Sequence, residues 1–200
     1  MKWKKVSSGP PETKSGASGD TETKSILHEL FGMALYVVVV LAVTFLVITF
    51  VGQRTQVNGE SMYPTLYDRD NLIVDKLSYR FHNPERYDII VFPYQYKEKT
   101  YYIKRIIGLP GEKVQIIDGY VYINGEKLDE DYGREVMEDA VLASEEITLG
   151  EDEYFVLGDN RNASEDSRFP DVGNIKRKDI IGKAWVRIWP LSRIGFMKHK

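Results

Sequence analysis

The 200 residues include no cysteine, which excludes disulfide frameworks, thiolate metal sites and cysteine nucleophiles. Histidine is scarce, with His28, His82 and His199 as the full set. A Ser-His-Asp triad needs an imidazole beside its nucleophile. None of the three suits that role: His28 borders a long apolar run, His199 is the penultimate residue, and His82 lies in Phe81-His82-Asn83-Pro84 without a well-spaced acidic partner. There is no H-E-x-x-H zinc motif and no glycine-rich Walker loop, so the commonest metal-hydrolase and nucleotide signatures are missing. A strong charge bias is also lacking. The formal net charge is −3, with 28% charged and 42% apolar residues, which is ordinary for a globular domain and gives no reason to expect a nucleic-acid partner. No internal repeat of solenoid or propeller period is present.

Against these absences, one long apolar run stands out. Residues 1–29 form a polar leader; Ser7 to Lys24 is rich in Ser, Gly, Thr, Glu and Lys and has little to bury. It reads as a disordered tail, either a solvated leader or a partner-binding segment. Leu30 to Val51 contains no charged residue. As a helix it spans roughly 33 Å, about the hydrocarbon thickness of a bilayer. It is longer than a cleavable signal peptide's apolar stretch, so it is expected to be an uncleaved transmembrane anchor in contact with membrane lipid, with a buried soluble helix as the alternative. Lys2, Lys4, Lys5, Lys14 and Lys24 precede it, whereas Arg54 and Arg69 follow. The positive-inside rule then predicts a single-pass cell-membrane protein with a cytoplasmic N-terminus and an extracytoplasmic domain over residues 52–200.

That domain is predicted to be mainly antiparallel β. Asn71–Lys76, Asp88–Phe92, Tyr101–Ile107, Lys113–Ile117, Tyr120–Ile123, Tyr154–Leu157 and Ile180–Ile188 are rich in β-branched and aromatic residues. Asp118-Gly119 and Asn124-Gly125 separate such runs and suit tight hairpins, because Asp, Asn and Gly tolerate positive φ. No segment after Phe50 keeps a helical period over three turns.

Three polar clusters interrupt the strands. In Asn58-Gly59-Glu60-Ser61-Met62-Tyr63-Pro64-Thr65-Leu66, Gly and Pro flank a serine on a sharply turning backbone; alone, this fits a turn residue as well as a presented hydroxyl. In Tyr102-Ile103-Lys104-Arg105-Ile106, alternation places Lys104 on the face of Tyr102 and Ile106. Burial there would lower its pKa toward that of a general base, whereas an exposed face would leave an ordinary lysine. The third cluster, Gly158-Asp159-Asn160-Arg161-Asn162-Ala163-Ser164-Glu165-Asp166-Ser167-Arg168, follows an apolar strand and reads as a loop tied by hydrogen bonds and ion pairs. With histidine, cysteine and metal set aside, a serine with a lysine base is the remaining hydrolytic machinery.

Together the clusters resemble those of bacterial type I signal peptidases, membrane-bound Ser-Lys proteases that remove signal peptides from exported precursors. Gly59 to Leu66 is similar to the nucleophile box, Tyr87 to Phe92 to a substrate-strand box, Lys104 to Gly111 to the lysine box, and Gly158 to Arg168 to a further box; Arg187 to Leu191 has a similar look. The short stretch between Asp118 and Gly150 matches the compact, Gram-positive-like form. The resemblance implies Ser61 as nucleophile, Lys104 as base, and Ser164 as a hydroxyl orienting the lysine amine. It also implies ion pairs Arg105–Asp159 and Asp166–Arg168. Val57, Met62, Leu66, Asp88, Ile89, Ile90, Tyr102 and Ile103 are its expected substrate contacts, with the precursor added as a β-strand near Tyr87–Phe92. Some members carry serine where this sequence has Gly59, so backbone N–H groups of Ser61 and Gly59 are expected to stabilise the oxyanion. No cofactor or metal is implied, and the partners are secretory precursors with small residues before the cleavage site. A silent membrane scaffold and a soluble self-cleaving Ser-Lys regulator are the rival readings. The first would lack Ser61 or Lys104, and the second would lack the apolar span.

Overall fold

The computed structural model describes residues 19–50, 52–133 and 135–197. The chain divides into two compact units at Phe45/Leu46. The first is built on helix α1, Gly19–Phe50. Within it, His28–Leu46 is long and apolar enough to cross a membrane, and its side chains are exposed on every face. An apolar helix whose described side chains are exposed on every face matches a lipid environment better than a soluble core. The expected disordered tail lies outside the described residues as far as residue 18. From Gly19 to Glu29 the chain is helical instead, because one long apolar helix, once nucleated, propagates into Ser25-Ile26-Leu27-His28-Glu29 without a proline or glycine to stop it.

The second unit is antiparallel β. Its strands are β1 (Gly52–Gln56), β2 (Asn71–Asp75), β3 (Ile89–Pro93), β4 (Tyr101–Gly108), β5 (Lys113–Ile117), β6 (Tyr120–Ile123), β7 (Glu126–Lys127), β8 (Ile147–Thr148), β9 (Glu153–Leu157), β10 (Ile175–Lys176), β11 (Gly182–Trp189) and β12 (Gly195–Phe196). The larger sheet runs β1-β2-β11-β3-β4-β9-β10, with β12 on β11; the smaller runs β7-β6-β5-β8. Both expected hairpin turns form, with positive φ at Asp118, Gly119, Asn124 and Gly125. All seven predicted strands are present within one or two residues of their expected limits. The remaining five were not predicted, because β1 is largely polar and β7, β8, β10 and β12 are only two residues long.

The large sheet is buried on both faces. Ile89 and Val91 join Val57, Met62, Leu66, Leu72 and Ile103 in one apolar cluster, while Ile90 and Phe92 join Ile106, Tyr154 and Val156 in another. A strand covered on both sides needs apolar residues at every position, which is why Ile89-Ile90-Val91-Phe92 runs without alternation. A third cluster, centred on Ile107, Val114, Phe155 and Leu157, packs the small sheet onto the end of the large one.

Candidate active site

Ser61 stands in the loop joining β1 to β2. Gly59 turns that loop with φ +88°, a conformation that side-chain-bearing residues avoid, and its N–H donates to Asp68 Oδ1 at 2.9 Å. Val57 N–H donates to Asp70 O (2.8 Å) and Leu66 N–H to Met62 O (2.8 Å), closing the loop on itself. Underneath, Val57, Met62 and Leu66 anchor it in the apolar cluster. The loop after β9 holds it from the other side: Asn160 N–H donates to Ser61 O at 3.0 Å, and Asn160 Nδ2 to Glu60 O at 3.1 Å.

Lys104 approaches from β4. It is 3% exposed, faces Ile90 across the strand pair, and its Nζ lies 5.0 Å from the Tyr102 ring centroid. Nζ donates to Ser61 Oγ at 2.9 Å. Burial pushes the Lys104 ammonium down to about 8; the carboxylates of Asp166, Glu165 and Asp159 oppose that, and Arg168 adds to it. A mildly alkaline solution thus leaves much of this amine neutral and in hydrogen-bond reach of a hydroxyl, which is the arrangement required for proton abstraction. The Ser61 N–H donates to no group among the described residues and is available to a developing oxyanion beside Oγ. The Gly59 N–H is occupied by Asp68, so the expectation that it shares this task is corrected.

Two buried ion pairs fix the surroundings. Arg105 meets Asp159 in a two-pronged pair (2.8 and 2.7 Å), and Thr65 Oγ1 donates to Asp159 Oδ2 at 2.5 Å, tying the lysine strand to the serine loop. Tyr132 covers the Arg105 guanidinium, its ring centroid 3.7 Å from Cζ. Arg168 meets Asp166 at 2.8 and 3.0 Å, and Asp166 Oδ2 also accepts the Gly158 N–H. Arg161 donates to both carboxylate oxygens of Glu130 (2.6 and 2.8 Å) and, through Nε, to Gly158 O.

The structure gathers Ser61, Lys104, Gly59, Val57, Met62, Tyr102 and Ile103 around one cleft of about 300 Å³. Four expected substrate contacts fall elsewhere. Leu66 is fully buried beneath the loop, and Ile89 and Ile90 are core residues. Asp88 is buried too; it accepts from Tyr79 Oη (2.8 Å) and Lys183 Nζ (2.6 Å). Nor can a precursor add itself to Tyr87–Phe92, because β3 is hydrogen-bonded to β4 on one side and β11 on the other. The open edge belongs to β4, whose pairing with β9 begins only at Arg105 and leaves Tyr101 to Lys104 bordering the cleft. Ser164 Oγ is buried and makes no hydrogen bond, so the expected bond to the Lys104 amine is not formed in this arrangement. It packs against Gly158, where a Cβ would also lie 2.5 Å from Ser61 O. Sequence reasoning gave no role to Gly158, Asn160, Thr65 or Glu130; glycine and asparagine at a strand end were the visible signal for the first two.

The family described as "Signal peptidase, peptidase S26" matches residues 30–189. The chain belongs to that family. A probable signal peptidase I-2 from Synechocystis sp. is 40% identical over 171 residues, covering 83% of this chain and 75% of that protein. The signal peptidase I of Leptolyngbya laminosa is 40% identical over 192 residues, covering 92% and 90%. A signal peptidase I structure from Enterococcus faecalis V583 is 37% identical and covers 51% of this chain and 97% of its own, with a TM-score of 0.41, too low to bear on the fold. Membership makes the chain a membrane-associated serine endopeptidase of the signal-peptide-removing class.

Proposed function

We propose that this signal peptidase works through a Ser61–Lys104 dyad, with α1 anchoring it, residues 1–29 in the cytoplasm and the β unit, residues 52–200, outside. The observation that carries the dyad is the 2.9 Å contact between Ser61 Oγ and a Lys104 Nζ desolvated by its surroundings. The precursor lies in the cleft between the open β4 edge at Tyr101–Lys104 and the Val57–Ser61 segment, adding its backbone to the sheet. Its small side chains settle over the apolar residues Val57, Met62 and Ile103 that line the cleft. Neutral Lys104 takes the Ser61 proton as Oγ attacks the scissile carbonyl, and the Ser61 N–H donates to the oxyanion. The ammonium then returns its proton to the leaving amine. In the second half, Lys104 takes a proton from water, the hydroxide attacks the acyl-enzyme, and Ser61 is released with its hydrogen restored. The lysines ahead of α1 support the orientation, since exported precursors present their cleavage regions on the opposite side.

Mass spectrometry of a precursor incubated with the wild type, Ser61→Ala and Lys104→Met tests activity and cleavage position together. Only the wild type should yield the shortened product. Substantial turnover by either folded variant would overturn the dyad.

A further inference from the structure

The cleft's accessible charges are all of one sign. Lys104, its one cation, is buried and engaged with Ser61, whereas Glu60 and Glu165 line the cleft with exposed side chains. Glu165 is oriented by Tyr102, whose hydroxyl donates to Glu165 Oε2 at 2.8 Å. Tyr102 is in turn held by Tyr94, stacked at 4.7 Å with an interplanar angle of 11°. Glu165 is therefore fixed on the β4 wall, and the carboxylate of Glu60 has no partner among the described residues on the opposite wall. Tyr101, whose side chain is exposed, adds an aromatic ring to the same lining.

We infer that Glu165, seconded by Glu60, is a specificity-determining residue, making the cleft select precursors with lysine or arginine beside the small residues of the cleavage site and reject those with acidic residues there. This rests on the Ser61–Lys104 reading of the cleft and extends it to the side chains between and just past the small-residue positions. In an extended substrate, alternate side chains point away from the floor at Val57, Met62 and Ile103. Those are the ones that meet the walls, where a cation gains a carboxylate and an aromatic face while an acidic residue meets two like charges. Exposed pairs contribute little individually, so the lysine-to-glutamate preference should be roughly three- to tenfold at low salt and shrink as salt rises.

The test uses the full-length protein in detergent and one signal-peptide substrate carrying Lys, Gln or Glu in turn at each position from three before to two after the scissile bond. The readout is the Lys/Glu ratio of kcat/KM for the wild type, Glu165→Gln and Glu60→Gln/Glu165→Gln; a ratio is unaffected by loss of overall rate. The expected result is a ratio above three at one or more positions, reduced by Glu165→Gln and close to one in the double variant. A wild-type ratio near one at every position, or a ratio that survives in the double variant, overturns the inference. Binding of the same peptides to Ser61→Ala separates the two layers of reasoning. Charge-selective binding without turnover in the wild type would leave the selectivity standing and defeat the dyad, while turnover without selectivity would do the reverse.

Discussion

Replacing Lys104 by methionine should abolish turnover and, at neutral pH, make the β unit more stable. Burial lowers the Lys104 pKa from 10.5 to about 8. At about 1.4 kcal/mol per pKa unit, holding the ammonium in this site at pH 7 costs ~3 kcal/mol relative to the unfolded chain. Methionine is similar in length and carries no charge, so it removes that cost. It also removes the hydrogen bond to Ser61 Oγ, worth ~1 kcal/mol net. The balance is ~2 kcal/mol, or about 4–8 °C in Tm for a domain of this size. The pH dependence follows from the direction of the shift. Between about 8 and about 10.4 the unfolded lysine holds its proton while the folded one has lost it, so the wild type gains stability with rising pH through that window. The variant has no such group. Its advantage should be complete below pH 8 and should vanish or reverse by about pH 10. Thermal unfolding of both proteins in the same detergent, at pH 7 and pH 10, measures the difference between them and cancels titrations they share. A variant less stable than wild type at pH 7, or a gap equal at both pH values, would refute the claim that Lys104 is held against its own charge.

The same pKa predicts kcat/KM rising to a plateau with an apparent pKa near 8; a flat profile from pH 5 to 9, with chemistry rate-limiting, would argue against a lysine base. Gly158→Ala places a methyl group 2.5 Å from Ser61 O and into Ser164, so it should cost about 1–3 kcal/mol of stability and at least tenfold in kcat; an unchanged kcat would show that the close approach does not position Ser61. Asp159→Ala removes the carboxylate that balances the buried Arg105 guanidinium and should cost about 3–5 kcal/mol in urea unfolding, whereas Arg105→Met/Asp159→Leu should cost less; a double variant as damaged as the single would mean the pair stabilises in its own right.

Much of the fold was legible because its signals are local. Ile89–Phe92 and Tyr101–Gly108 carry β-branched and aromatic residues in strand-length runs, and the Asp118-Gly119 and Asn124-Gly125 turns depend on the φ tolerance of two adjacent residues. The unbroken apolar run of β3 also held the evidence that it is interior, since an edge strand with one wet face would alternate. The resemblance implies a substrate strand there, against that pattern. The resemblance implies a bond from Ser164 to the lysine, yet the direction of its hydroxyl depends on how tightly the β9 loop packs at Gly158, a contact between residues six apart that no spacing rule specifies.

The sequence alone determined the composition of the machinery. Without cysteine or a suitably placed histidine, a serine hydrolase was left with lysine as its base; the resemblance pointed to Ser61 and Lys104, and alternation along β4 put that lysine on the face of Tyr102 and Ile106. Residue type and period are properties of the chain itself. Only tertiary structure decided which edge stays open to substrate, which backbone N–H groups remain unspent, and how far Lys104 is desolvated. Each of these depends on groups brought together from distant parts of the chain: β11 closing β3, Asp68 taking the Gly59 N–H, and Ile90 with the Ser61 loop shielding the lysine from water. Ser61 and Lys104 are 43 residues apart in sequence, and their 2.9 Å contact exists only because a sheet and two loops enforce it.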